Sequence, residues 1–328
     1  MKLLTKEELK KDYRIELWSP AKIEKFRKKL LAWYDDNQRL LPWRENNDPY
    51  RIWVSEIMLQ QTQVDTVIPY FNHFMEQFPT VADLAAAPTD QVMKAWEGLG
   101  YYRRARNLQK AAQQVMTIYE GKIPDHYDEL LHLQGIGPYT AGAIASMAFS
   151  EKVPAVDGNV LRVVSRLFEI SYDIKRAKYF KVFFSVAYYL VDPERPGDFN
   201  QALMDLGATI MTPKASMPHL SPVKAFDASY LHETWNDYPV STKAKAAKVV
   251  KKIGLIIKND EGQYLLEKRP SSGLLANMWT FPLIEKNHLQ KNGKGQMQKS
   301  FATTDKLSEA QQIELLKRVK KKYGIVYS

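Results

Sequence analysis

Cysteine is absent from the 328 residues, which excludes disulfides, thiolate zinc sites, cysteine-ligated iron–sulfur clusters and any thiol nucleophile. Long apolar runs are missing too: none approaches the ~20 residues that a membrane span requires. The first residues, MKLLTKEELKKDYRIELW, place a charge every two or three positions, where a secretory signal needs an unbroken apolar core. The chain is therefore expected in the cytoplasm. Histidines number only 6 and show no metal-ligand spacing. What remains is globular in composition, at a length that fits about two domains.

The formal charge is +10, a balance commoner in proteins that meet nucleic acid than in those that handle small acidic metabolites. Its distribution weakens that inference. Residues 1–242 carry 29 basic and 30 acidic side chains, residues 243–252 carry 5 and 0, and residues 286–328 carry 10 and 3. A solvated tail explains such lysines as well as a nucleic acid does.

From Ala21 to about Tyr238 apolar residues recur with a helical period, punctuated by Pro and Gly, and this predicts an all-α domain over residues 1–242. In Asn159–Glu169, for example, Val160, Val163, Val164, Leu167 and Phe168 form one stripe, with Pro154 and Gly158 marking its upstream boundary. Residues 243–252, KAKAAKVVKK, read as a basic linker. In residues 253–328 two apolar runs flank Asn259-Asp260-Glu261-Gly262, a hairpin signal. SEAQQIELLKRVKKKYG then predicts a helix with Ser308 as N-cap, Ile313, Leu316 and Val319 spaced by threes, and Gly324 at the stop.

The sharpest local signal is Leu133-Gln134-Gly135-Ile136-Gly137-Pro138-Tyr139-Thr140-Ala141, preceded by DHYDELLHL and followed by a small-residue helix. Gly135 and Gly137 permit a tight turn, Pro138 suits a first helical position, and the free N–H groups there face an anion. Such a hairpin grips a DNA phosphate without reading sequence. An ordinary glycine-containing connection is the alternative, and Thr140-Ala141 after both glycines disfavours it.

On these residues the chain resembles the helix-hairpin-helix superfamily of DNA glycosylases, whose aspartate about twenty residues past the hairpin is supplied by Asp157 in Val153-Pro154-Ala155-Val156-Asp157-Gly158-Asn159-Val160. Asp157 also suits a helix N-cap, and the two roles are compatible. Within the superfamily, Leu41-Pro42-Trp43-Arg44, the run from Pro49 to Val64, Gly98-Leu99-Gly100-Tyr101-Tyr102 and Phe199-Asn200-Gln201-Ala202-Leu203-Met204-Asp205-Leu206-Gly207 are similar to the adenine DNA glycosylases (MutY type). The resemblance implies a mainly α, two-lobed fold followed by a partial α/β Nudix-like domain. Adenine is a poor leaving group on a sugar that becomes cationic, so its hydrolysis needs a proton for the base and negative charge beneath the sugar. The resemblance gives the first task to Glu56, acting on adenine N7, and the second to Asp157, with Tyr139 and Asn159 orienting the pair. It gives Gln61 and Tyr101 the wedge that fills the duplex after base extrusion. Leu59 and Arg44 would lie beside the lesion and the flipped base, and Gly135, Gly137 and Thr140 against the DNA backbone.

The sequence also departs from that family. Most members hold a [4Fe–4S] cluster on four cysteines, and the aligned positions here are Met211, Pro218, Ser221 and Asp227. No cofactor is expected, and the loop is expected to be held by proline stiffness and by packing of Met211, Met217 and Phe226. The endonuclease III branch forms a Schiff base through a hairpin lysine; Tyr139 stands at that position, which favours a monofunctional glycosylase over a lyase. The second domain resembles the family's lesion-recognition domain in Leu265–Pro270 and Gly273–Pro282, but lacks the glutamate cluster of a pyrophosphatase. It also lacks the family's Phe-Ser-His loop, the only histidine after His232 being His288, and is expected to be incomplete. The resulting expectation is a bacterial, cytoplasmic, DNA-associated monomer acting on double-stranded DNA with A:8-oxoguanine or A:G mispairs. A pyrimidine glycosylase of endonuclease III type and a non-catalytic mismatch-binding protein are the rivals.

Overall fold

A computed structural model describes residues 2–243, 250, 252–273, 275–285 and 309–323. The chain divides into two compact units, Met1–Lys243 and Ala244–Ser328. The first is helical throughout, and prolines start several of its helices. In chain order they are α1 (Lys6–Tyr13), α2 (Pro20–Asn37), α3 (Pro49–Leu59), α4 (Val64–Gln77), α5 (Val81–Ala86), α6 (Thr89–Ala95) and α7 (Arg103–Ile118). There follow α8 (Tyr127–Leu130), α9 (Pro138–Phe149), α10 (Gly158–Leu167), α11 (Ala177–Leu190), α12 (Pro196–Thr209) and α13 (Ala228–Leu231). Pro20, Pro49, Pro138 and Pro196 each occupy a first helical position, where no N–H is needed.

Helix α1 lies upstream of the predicted helical region. Thr5 and Glu8 close a capping box around its first turn, and Leu9 is its single buried residue, too little for a periodic signal. The helical stretch expected over Asn159–Glu169 is α10, capped by Asp157 and burying Val160, Val163, Val164 and Leu167. Of DHYDELLHL, which precedes the hairpin, only the one turn of α8 is α-helical.

Two lobes follow from the packing. Helices α4 to α7 pack on one another and on α3, whereas α2, α9 and α10 pack around α12, with α11 on α10. Helices α3 and α9 meet at the seam. Gly142 in α9 lets the extended segment Val153–Val156 run close by, because a Cβ there would lie 2.3 Å from the Pro154 carbonyl oxygen. Asn200 of α12 anchors the same segment. Its Nδ2 donates to Val153 O (2.9 Å) and its Oδ1 accepts from Ala155 N–H (3.1 Å). These contacts deliver Asp157 to the seam.

In the second unit, β1 (Lys252–Gly254) pairs with β4 (Leu283–Glu285) and β2 (Glu267–Lys268) with β3 (Trp279–Thr280), both antiparallel. The expected hairpin at Asn259–Gly262 is present: Gly262 adopts φ 85° and Lys258 bridges Tyr264. Sheet is sparser than the two apolar runs implied, each strand having two or three residues. The expected terminal helix is α14 (Glu309–Tyr323); it buries Val319, whereas Ile313 and Leu316 are exposed. Ser308, Gly324, His288, Leu274 and most of the basic linker lie outside the described residues. Among the described residues no helix is long and apolar enough to cross a membrane.

Candidate active site

A cleft of about 630 Å³ opens where the lobes meet, lined among others by Glu56 of α3, Tyr139 of α9, Asp157 and Asn159 at the start of α10, and Gln201 and Met204 of α12. Helix α3 is capped by Asp48 and buries every residue from Ile52 to Met58, so Glu56 is held with 5% exposure. Burial pushes its carboxyl up to about 7, against the Tyr139 hydroxyl, which donates to Oε2, and with the neighbouring charge of Asp157 adding to the rise.

Asp157 is built differently. Its Oδ1 accepts from Val160 N–H (2.7 Å) and its Oδ2 from Asn159 Nδ2 (2.8 Å). Burial outweighs these bonds and Arg162, which pull the other way, and its pKa stays raised. Arg162 Nη2 in turn donates to Asn159 Oδ1 (2.6 Å), which fixes the amide orientation. The structure therefore brings all four residues expected to be catalytic into one cleft.

Arg44 and Leu59 also line this cleft, but the guanidinium of Arg44 is committed to Asp205, with contacts of 2.7 and 3.0 Å. Arg39 completes the cluster through Nε at 2.7 Å. Burial pushes the Asp205 carboxyl up, yet the two arginines outweigh it and hold the carboxyl below its ordinary value. The sequence reading quoted Asp205 only as a motif letter and missed this role. It missed Gln201 as well, whose Oε1 is buried without a hydrogen-bond partner on the cleft wall.

Gln61 lines the cleft mouth, and both it and Tyr101 are exposed with left-handed backbones, at φ 61° and 47°. At the hairpin, Gly135 has φ 82°, where a Cβ would meet Asn107 at 2.7 Å, and Gly137 caps α9. Thr140 lies inside, 1% exposed, its hydroxyl near Gln60 Nε2 (3.4 Å). The Thr140 side chain thus packs behind Gln60, which lines the cleft.

The positions aligned with the cluster cysteines hold a buried thioether (Met211), a proline ring (Pro218), a hydroxyl (Ser221) and a carboxylate (Asp227) that caps α13. That donor set does not fit an iron–sulfur cluster. Among the described residues, no group of three or more His, Cys, Asp or Glu is placed to hold a metal ion. Arginines of α10 secure the loop. Arg162 donates to Gly207 O (2.8 Å) and Met211 O (2.6 Å), and Arg166 to Thr212 O, Ser216 Oγ, Trp235 O and Tyr238 O at 3.0–3.3 Å. Met211 and Phe226 are buried as expected, but Met217 is 40% exposed and contributes no core packing.

Residues 54–184 match the HhH-GPD superfamily of base excision DNA repair proteins, the class that the glycine hairpin and the paired carboxyls define. A thermostable thymine-DNA glycosylase superposes with a TM-score of 0.59 at 28% identity, over 65% of this chain and 98% of that one. The chain belongs to the adenine DNA glycosylase family. It is 33% identical to the adenine DNA glycosylase of Schizosaccharomyces pombe over 87% of this chain and 75% of that protein. With the Arabidopsis thaliana adenine DNA glycosylase it shares 42% identity over 82% of this chain, and it spans about half, 49%, of that relative's length.

Proposed function

We propose that this chain is a monofunctional glycosylase, working without an iron–sulfur cluster, that hydrolyses the N-glycosidic bond of adenine mispaired with 8-oxoguanine or guanine in double-stranded DNA and leaves an abasic site. One observation carries the reading: two carboxyls face one cleft in different surroundings, Glu56 being pushed up to about 7 by burial, while Asp157, also raised by burial, accepts bonds from Val160 N–H and Asn159 Nδ2 that favour its charged form. Glu56 donates its proton to adenine N7 as the C1′–N9 bond breaks. The Asp157 carboxylate balances the cationic sugar. Glu56, now ionised, takes a proton from the water that adds to C1′, which restores the acid. Gln201 offers its unpartnered amide oxygen to the exocyclic amine of adenine, a contact a purine with an oxygen there lacks. Tyr139 has no amine for a Schiff base, so hydrolysis without strand cleavage is favoured. The hairpin glycines take the DNA backbone, and Gln61 and Tyr101 occupy the gap left by the base.

Single-turnover release of adenine from a duplex with one A:8-oxoguanine pair tests this. Glu56→Gln is expected to slow release by about 10²–10⁴-fold while duplex affinity persists. A variant that loses binding in step with release would make Glu56 a structural residue, and a wild-type protein that binds the mispair without releasing base would make the chain a mismatch reader.

A further inference from the structure

Gln61 and Tyr101 belong to separate loops, yet both hold a left-handed backbone, at φ 61° and 47°. Non-glycine residues stay in that region only where their surroundings hold them. Arg104, in the first turn of α7, is the group the two loops share. Its Nη1 donates to the carbonyls of Ile57 (3.0 Å), Met58 (2.9 Å) and Gln60 (2.5 Å), where α3 runs out into Gln61. Its Nη2 donates to Thr62 Oγ1 (3.3 Å) on that same loop and to the carbonyls of Leu99 (3.2 Å) and Gly100 (3.3 Å), immediately before Tyr101. The guanidinium lies 5.4 Å from the ring centroid of Trp96 and 5.6 Å from that of Tyr101. Carbonyl dipoles and ring faces thus meet this charge, where a carboxylate meets those of Arg39 and Arg44. Only a planar fork holds two loops at a fixed separation; an ammonium group is a single point.

We propose that Arg104 is a positioning residue that locks the Gln61 loop and the Tyr101 loop into one wedge, so that both side chains enter the duplex together as a base leaves the stack. The wedge rests on the functional reading above, which supplies the duplex and the extruded base. Clamped together, the loops act as a unit, and losing the clamp costs as much as losing one of them.

Arg104→Lys and Arg104→Ala test this with two substrates: an A:8-oxoguanine duplex, and a duplex carrying the target adenine in an unpaired bulge where it is already unstacked. On the paired duplex, single-turnover release is expected to fall about 10- to 100-fold, and the fluorescence rise of 2-aminopurine at the target position to fall with it; on the bulge the loss stays under about 3-fold. Tyr101→Ala is expected to cost about 10-fold or more alone but under about 3-fold on the Arg104→Lys background, the non-additivity of residues that work as one. Thr62→Val removes one bond of the clamp without disturbing the arginine and shows the same pattern at about 3-fold, which keeps the test decisive if both arginine variants fold poorly. Equal losses on the two substrates, additive effects, or unchanged release from the paired duplex overturn the clamp. Wild-type protein that releases adenine from neither substrate overturns the functional reading, and the clamp with it.

Discussion

Glu56 keeps its proton near neutrality because both lobes close over it, and two measurable consequences follow. Excision is expected to decline about tenfold per unit as pH rises above about 7, since the acid is then ionised. The Tyr139 hydroxyl lowers that pKa, so Tyr139→Phe is expected to move this alkaline limb to higher pH while reducing the rate. A pH–rate profile of the two proteins checks it; an unmoved limb would assign the titration to another group. The same shift weakens folding. In the unfolded chain Glu56 ionises at its ordinary 4.5, whereas in the native protein it holds its proton until about 7. Stability attributable to this group is therefore lost as pH rises between those values and does not return above them. Glu56→Gln is expected to be more stable than wild type by roughly 3 kcal/mol at pH 8, and little different at pH 4. Urea unfolding at both pH values measures the difference.

At the scale of elements, buried arginine–carbonyl and arginine–carboxylate contacts hold in place what helix packing alone leaves free. Asp205 of α12 is 1% exposed and neutralises Arg39 and Arg44 from the α2–α3 connection. Removing it strands Arg44, a cation whose side chain is only 11% exposed, so Asp205→Ala is expected to cost about 3–5 kcal/mol, seen as a lower urea midpoint with an unchanged slope. A cost below about 1 kcal/mol would place the pair with ordinary surface bridges. On α10, Asp157 faces the cleft at the cap while Arg162 and Arg166 reach the loop beyond α12. One ten-residue helix thus serves both the site and its support.

At the scale of the whole molecule, the cleft exists only because α3 from one lobe and α9, α10 and α12 from the other meet face to face. The loop after α12 is closed by arginine forks and by buried Met211 and Phe226, a closure independent of thiolates. Purified protein is therefore expected to carry no stoichiometric iron, to lack cluster absorbance in the visible range, and still to excise adenine. Metal analysis alongside the release assay decides this, and an iron content near that of a full cluster would overturn it.

The sequence by itself determined what depends on neighbours along the chain. Proline positions set helix starts at Pro49, Pro138 and Pro196. Gly135 marked a turn that only positive φ can make, and Asp157 announced an N-cap. With the family motifs these gave the fold class and the four residues gathered in the cleft. Tertiary structure decided what arises between residues far apart in sequence. The proton affinity of Glu56 depends on Tyr139, 83 positions away, and on burial by a second lobe. Asp205 becomes an anchor across 161 positions to Arg44, Thr140 turns inward, and Met217 stays outside the core it was expected to join. Local patterns record backbone geometry and burial period, because these repeat along the chain. The energies of a buried charge or a shared guanidinium depend on which distant groups arrive beside it, and only the folded packing specifies those.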